Sequence, residues 1–199
     1  MKPATGVSRP ASPPREVRII GGQWKRSKLP VADLPGLRPT PDRVRETLFN
    51  WLGQDLSGWR CLDAFAGSGA LGFEAASRGA TQVVLLERDR KLVASLEQTR
   101  ERLKATALRI DNAEALAWMA RCAPQCFELV FIDPPFDSKL LEPAIAAAAR
   151  VVVPDGFVYI EAGHALAAGA EALAGLSLHR QGKAGAVHFH LAQKKSPLA

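Results

Sequence analysis

A chain of 199 residues with 47% hydrophobic and 23% charged side chains has the composition of one globular domain carrying a short extension. Three cysteines exclude a disulfide framework, no apolar run approaches the roughly 18 residues of a membrane-spanning helix, and the start Met1-Lys2-Pro3-Ala4-Thr5-Gly6 lacks an apolar signal core. The net charge of +6 is unevenly placed: residues 1–50 hold ten Lys/Arg against four Asp/Glu, and residues 51–199 hold sixteen of each. The basic excess in the N-terminal quarter points to a polyanionic partner, most simply nucleic acid. Reduced thiols and a cytoplasmic location are expected.

Residues 1–16, with Pro3, Pro10, Pro13 and Pro14 among Arg9 and Arg15, read as a disordered basic arm. Val17 to Ile20, the turn signal Gly21-Gly22 and Gln23 to Leu29 predict a β-hairpin. It carries Arg18, Lys25, Arg26 and Lys28 around Trp24. Cations that bind phosphates beside a ring that stacks on a base suit RNA, although Trp24 has an equal claim to packing the hairpin onto the domain. The next segment predicts a helix capped by Thr40 with Pro41 at its first position. Val44, Leu48, Trp51 and Leu52 share its core face. Arg38, Arg43 and Arg45 lie near the positive end of this helix, where a purely structural helix has little need of them; pairing with Asp42 and Glu46 competes with contact to substrate phosphates or cofactor, and Arg38 and Arg43 are assigned to the latter. Residues 17–53 thus form a nucleic-acid-facing extension to a domain spanning 54–199.

From residue 58 onward strands and helices alternate, which predicts a doubly wound α/β sheet. Cys61-Leu62-Asp63 ends the first strand, and Ala64-Phe65-Ala66-Gly67-Ser68-Gly69 turns into a helix from Ala70 to Ser77. Gly67 and Gly69 bring the backbone close to a ligand at a helix start, and Phe65 belongs to the same turn. The segment also fits the G-x-G-x-x-G dinucleotide fingerprint, with Glu87 about 20 residues on. Asp63 tips the balance against that reading, because a carboxylate there would repel a pyrophosphate. It suits the ammonium and sulfonium of S-adenosylmethionine (SAM).

The second strand, Gln82 to Leu86, delivers Glu87 to the ribose hydroxyls of such a cofactor. After a helix from Asp89 to Lys104, the third strand (Leu108 to Ile110) brings Asn112 and the backbone of Ala113 toward an adenine edge, with helix capping as the competing job. A helix from Glu114 to Cys122 follows. The fourth strand, Phe127 to Ile132, ends in Asp133-Pro134-Pro135-Phe136. The prolines stiffen a turn that offers a carboxylate, backbone carbonyls and a ring. An exocyclic amine on a nucleobase needs such acceptors, a stacking face and a proton acceptor as the product leaves. A helix over 138–150, a fifth strand over 156–161 and an antiparallel pair, 176–180 with 186–192, complete the pattern. His164, His179, His188 and His190 show no metal-ligand spacing, and no metal is expected.

Together, Arg18-Ile19-Ile20-Gly21-Gly22-Gln23-Trp24, Arg38-Pro39-Thr40 with Arg43-Val44-Arg45-Glu46-Thr47-Leu48-Phe49, Asp63 to Gly72, and Asp133 to Phe136 closely resemble the bacterial RsmD family of 16S ribosomal RNA guanine-N2 methyltransferases. The resemblance spans roughly residues 17–192. It implies a class I SAM-dependent methyltransferase sheet of seven strands with a small N-terminal β-hairpin. It also implies methylation of N2 on one guanine, of the guanine 966 type, in 16S rRNA on the assembling 30S subunit. Carried over by residue, Asp63, Gly67 and Gly69 line the methionine end of SAM, Glu87 takes the ribose, and Asn112 with Ala113 lies near adenine. Asp133 to Phe136 holds the flipped guanine. In relatives acting on adenine or glutamine that motif often begins with Asn, so Asp133 fits guanine better. A monomer is expected. The competing readings are an N-methyltransferase acting on adenine or DNA, a dinucleotide oxidoreductase, and a non-catalytic RNA-binding assembly factor.

Overall fold

The structure is a computed structural model that describes residues 15–32, 40–135, 139–166 and 173–196. The outer parts of the hairpin are β1 (Arg15–Arg18) and β2 (Lys28–Val31), paired antiparallel. Helix α1 (Asp42–Leu52) leads into β3 (Arg60–Asp63), α2 (Ala70–Ser77), β4 (Gln82–Glu87), α3 (Arg90–Leu103) and β5 (Leu108–Asn112). Then come α4 (Ala115–Arg121), β6 (Phe127–Ile132), α5 (Leu141–Val151), β7 (Val152–Ala162), β8 (Ser177–Ala184) and β9 (Val187–Gln193).

The seven-stranded sheet runs in the order β5-β4-β3-β6-β7-β9-β8. Strands β3 to β7 are parallel, and β9 and β8 are antiparallel additions. The chain winds outward from β3 through β4 to β5, then returns to the other side of β3 for β6 and β7. The reversal lies between β3 and β6, where open α/β sheets form a crevice at their carboxyl edge. One face of the sheet packs against α1, α2 and α3 around Phe49, Phe73, Phe131 and Tyr159; the other packs against α4 and α5 around Leu62, Val130, Ile145 and Ile160. The four apolar residues from Val83 to Leu86 are buried in succession, as a central parallel strand covered on both faces requires. Asp89 caps α3 by accepting the N–H groups of Lys91 and Leu92 at 2.7 and 3.2 Å. Cys61 is buried and Cys122 and Cys126 are half-buried free thiols. His190 is buried, its Nε2 accepting the Leu166 N–H at 3.1 Å.

The hairpin differs from the sequence expectation. Its strands stop at Arg18 and resume only at Lys28, so of the expected strand Gln23 to Leu29 only Lys28 and Leu29 are in one: residues 21–26 form bends and turns. The segment turns away from β-pairing because α2 captures its backbone. Glu74, fully buried on α2, accepts the N–H groups of Ile20 and Gly21 at 2.8 Å each. Gln23 N–H reaches the Ser77 carbonyl at 2.8 Å and Trp24 N–H the Ser77 hydroxyl at 3.0 Å. Gly22 is required at this approach: a Cβ there would lie 1.8 Å from the Ser77 carbonyl oxygen. Trp24 is half-buried and packs against the main core.

Arg45 completes the anchor. Its side chain is fully buried and donates to Glu74 at 3.2 Å, to Asp42 at 2.7 Å, to the Arg18 carbonyl at 2.9 Å and to the Thr40 carbonyl at 3.3 Å. Arg78 adds a second ion pair to Glu74 at 2.8 Å and lies 4.6 Å over the Phe49 ring. One buried carboxylate between two guanidiniums thus joins the hairpin, α1 and α2. Removing one member of such a group leaves an uncompensated buried charge and costs about 3–5 kcal/mol.

Four further expectations change. Thr40 does not cap α1; Pro41 occupies the cap position without a side-chain bond, because the Thr40 hydroxyl is taken by Glu161, as described below. β7 begins at Val152 rather than at 156, and α5 begins at Leu141; position 138 lies outside the described residues. Trp51 is half-buried rather than core, its ring stacked on Phe189 at 5.4 Å.

Candidate active site

Five parallel strands present their carboxyl ends along one edge, and each delivers a polar residue there: Asp63 from β3, Glu87 from β4, Asn112 from β5, Asp133 just beyond β6 and Glu161 near the end of β7. The turn after β3 lies among them. Its backbone is fixed by Ala64 N–H to the Phe131 carbonyl at 3.1 Å and Ala66 N–H to the Leu86 carbonyl at 3.0 Å. Gly67 and Gly69 adopt φ of 52° and 77°, left-handed values that favour glycine. Glu87 reaches back to this turn: one carboxylate oxygen accepts the Gly67 N–H at 3.0 Å, the other the Asp89 N–H at 2.8 Å. Phe65 is half-buried beside the α4–α5 core. At the far side, the Asn112 amide donates to the Glu87 and Arg88 carbonyls, both at 2.9 Å, and Ala113 N–H donates to the Glu87 carbonyl at 3.1 Å. Glu114, not Asn112, caps α4.

The electrostatics are those of crowded, poorly hydrated acids. Asp63 is buried and accepts the Gly72 N–H at 3.0 Å. Burial pushes its carboxyl up to about 7, against the N–H bonds of Gly72 and Phe65 and with help from the charges of Glu87 and Glu161. Asp133 is held well above the usual carboxylate range by burial first, then by Glu161 and Asp63. Glu161 is also raised by burial, although the hydroxyls of Thr40 and Tyr159 pull the other way. Those hydroxyls donate to the same oxygen, Glu161 Oε1, at 2.7 and 2.9 Å. Acids destabilised by burial and by one another attract a cation, which relieves both penalties. The donor set therefore fits a ligand bearing an ammonium and a sulfonium. Among the described residues no group of three or more His, Cys, Asp or Glu is arranged to hold a metal ion.

A family model described as "Conserved hypothetical protein 95" matches residues 17–193. The chain is 44% identical over 184 residues to the Ribosomal RNA small subunit methyltransferase D of Escherichia coli, covering 91% of each chain. The chain belongs to the RsmD family. Among solved structures, a putative methyltransferase from Escherichia coli is 42% identical with a TM-score of 0.80, covering 92% of this chain and 100% of that one. A putative methylase from Haemophilus influenzae is 35% identical with a TM-score of 0.76 and the same coverages. The class I methyltransferase fold expected from the RsmD resemblance is the fold observed.

In this RsmD-family chain, Arg18, Lys25, Arg26 and Lys28 are exposed on the hairpin, and Arg43 is exposed on the first turn of α1. Lys28 pairs with Glu16 at 2.8 Å. Arg38 and Phe136 lie outside the described residues. Pro134 is buried and Pro135 exposed beside a partly buried Asp133. Sequence reasoning missed Glu161, Tyr159 and the bond from Thr40 to Glu161. The signal available was a glutamate ending an otherwise apolar strand, Phe157-Val158-Tyr159-Ile160-Glu161, in a chain where Asp63, Glu87 and Asp133 end strands in the same way. Also missed was Glu74, an acid in the middle of an apolar helix. Such a residue is almost never fully buried unless paired, and Arg45 and Arg78 were its available partners.

Proposed function

We propose that the chain transfers a methyl group from SAM to the exocyclic N2 amine of one guanine, of the guanine 966 type, in 16S rRNA on the 30S subunit or its assembly intermediate. The observation that carries this reading is the pair of desolvated carboxylates, Asp63 and Asp133, on either side of the β3–β6 crevice. The name of the Escherichia coli relative supports the substrate class. When bound, SAM supplies an electrophilic methyl carbon on a cationic sulfonium. Asp63 holds the amino group, Glu87 the ribose hydroxyls, and the Asn112–Ala113 corner lies at the adenine end.

Asp133 does the chemistry left to the protein. It accepts an N–H of the target amine, keeps the nitrogen lone pair aimed at the crevice, and receives the proton as the product forms. The Pro134 carbonyl is a second acceptor, Pro135 stiffens the turn, and Phe136 is the stacking ring. The guanine must leave its stack to reach the crevice, which costs a few kcal/mol. Arg18, Lys25, Arg26, Lys28, Arg38 and Arg43 hold the RNA backbone meanwhile, with Trp24 beside them. The displacement forms no covalent enzyme intermediate, so positioning dominates the rate. The test is Asp133→Ala: SAM affinity measured by calorimetry is retained while single-turnover methyl transfer falls by about 10²-fold or more. A variant transferring at the full rate would remove Asp133 from the mechanism.

A further inference from the structure

Glu161 is a buried acid that the reaction outlined above does not use. The register Ile132↔Ile160 puts Asp133 and Glu161 at successive strand ends of β6 and β7, roughly 4.8 Å apart along the sheet. Phe131, one pleat before Asp133, and Tyr159, one pleat before Glu161, both lie in the core that faces α1, so the two carboxylates project to the same side. Glu161 is 3% exposed. Its Oε1 receives both the Thr40 and the Tyr159 hydroxyls, and among the described residues no hydrogen bond reaches its Oε2. Two hydroxyl donors fix the side chain through Oε1 and oppose the upward push of burial on its carboxyl; the ionised form is acceptor-only. In their ionised forms the two carboxylates offer two neighbouring acceptors, and a ligand edge with two adjacent donors favours those forms.

That pattern distinguishes purines. The Watson–Crick edge of guanine carries two adjacent donors, N1–H and the N2 amine. A purine with an unprotonated N1 turns a lone pair toward the same place and meets a carboxylate. We propose that Glu161 Oε2 accepts the N1–H of the target guanine while Asp133 accepts from its N2 amine, making Glu161 a specificity-determining residue. The inference rests on the guanine-N2 reading and deepens it.

The test compares 30S particles reconstituted with 16S rRNA carrying either guanine or 2,6-diaminopurine at the target position. Diaminopurine keeps the N2 amine but replaces N1–H with a lone pair. The protein itself should methylate diaminopurine at least 100-fold less efficiently in kcat/KM, because a site built to accept a hydrogen bond rejects an analogue lacking the donor. Glu161→Gln supplies an amide donor, so its guanine-to-diaminopurine ratio should narrow by at least tenfold. A loss of packing alone would lower both rates and leave the ratio unchanged. Equal rates of the unaltered protein on the two particles overturn the inference without need of the variant, and so does an unchanged ratio in Glu161→Gln. Failure of the parent reading appears separately, as absence of N2-methylguanosine from the guanine particle.

Discussion

Replacing Asp63 by asparagine should stabilise the ligand-free protein at alkaline pH while damaging its cofactor site. A carboxyl raised from 3.8 to about 7 binds its proton more tightly in the folded chain than in the unfolded one. Ionisation of Asp63 therefore opposes folding. The penalty is absent below pH 3.8, grows as pH rises, and is complete above pH 7. At 1.36 kcal/mol per unit, a shift of about three units corresponds to about 4 kcal/mol. The asparagine keeps one acceptor oxygen where the carboxylate served the N–H groups of Gly72 and Phe65; that loss costs about 1–3 kcal/mol at every pH. The two terms leave the variant near parity at pH 5 and more stable by about 1–3 kcal/mol at pH 8. Urea unfolding of both proteins at the two pH values measures this. The stability difference should move toward the variant by about 2–3 kcal/mol between pH 5 and pH 8. Parallel pH dependences would refute the claim that Asp63 is an electrostatically strained acid, and an unchanged SAM affinity in Asp63→Asn would refute its part in binding the cation.

The same acid makes SAM affinity pH-dependent: binding should weaken as pH falls below about 7, and calorimetry in buffers of different ionisation enthalpy should show a proton released at neutral pH. Glu74→Gln leaves Arg45 and Arg78 without their shared anion and should lower the unfolding free energy by about 3–5 kcal/mol in urea titrations. A loss below 1 kcal/mol would mean that the buried pairs do not anchor the hairpin. Lys25→Ala with Arg26→Ala should weaken RNA binding and flatten the dependence of log K on log salt by about 0.7–0.9 for each phosphate no longer neutralised, with SAM affinity unchanged. An unaltered salt slope would remove these two residues from the RNA interface.

The parts of this structure legible in the sequence are those set by local pattern. Phe127–Ile132 and Ala70–Ser77 have the limits that their apolar runs and glycine punctuation predict, and each parallel strand brings its terminal polar residue to the sheet edge because period-two geometry and crossover direction are fixed. What could not be read depends on partners far away in the chain. Thr40 has the chemistry of a helix cap, yet its hydroxyl bonds Glu161, 121 positions on; local propensity loses to a buried carboxylate short of donors. Gly21-Gly22 reads as a tight turn with a strand returning from Gln23, yet the turn extends to Arg26, because Glu74 and Ser77 hold the N–H groups of Gly21 and Trp24 from more than 50 positions away. Trp24 is attractive as a stacking residue among cations, and the fold gives much of its surface to the core.

The decisive assay offers this protein labelled SAM and three acceptors: 30S particles from a strain lacking the modification, naked 16S rRNA and duplex DNA. Hydrolysis and nucleoside analysis then identify the methylated atom. Label is expected in N2-methylguanosine from the particle, with none in DNA. Label on an adenine amine or in DNA would contradict the substrate, and no transfer to any acceptor by protein that binds SAM would contradict the assignment of the Asp63–Asp133 crevice to this reaction.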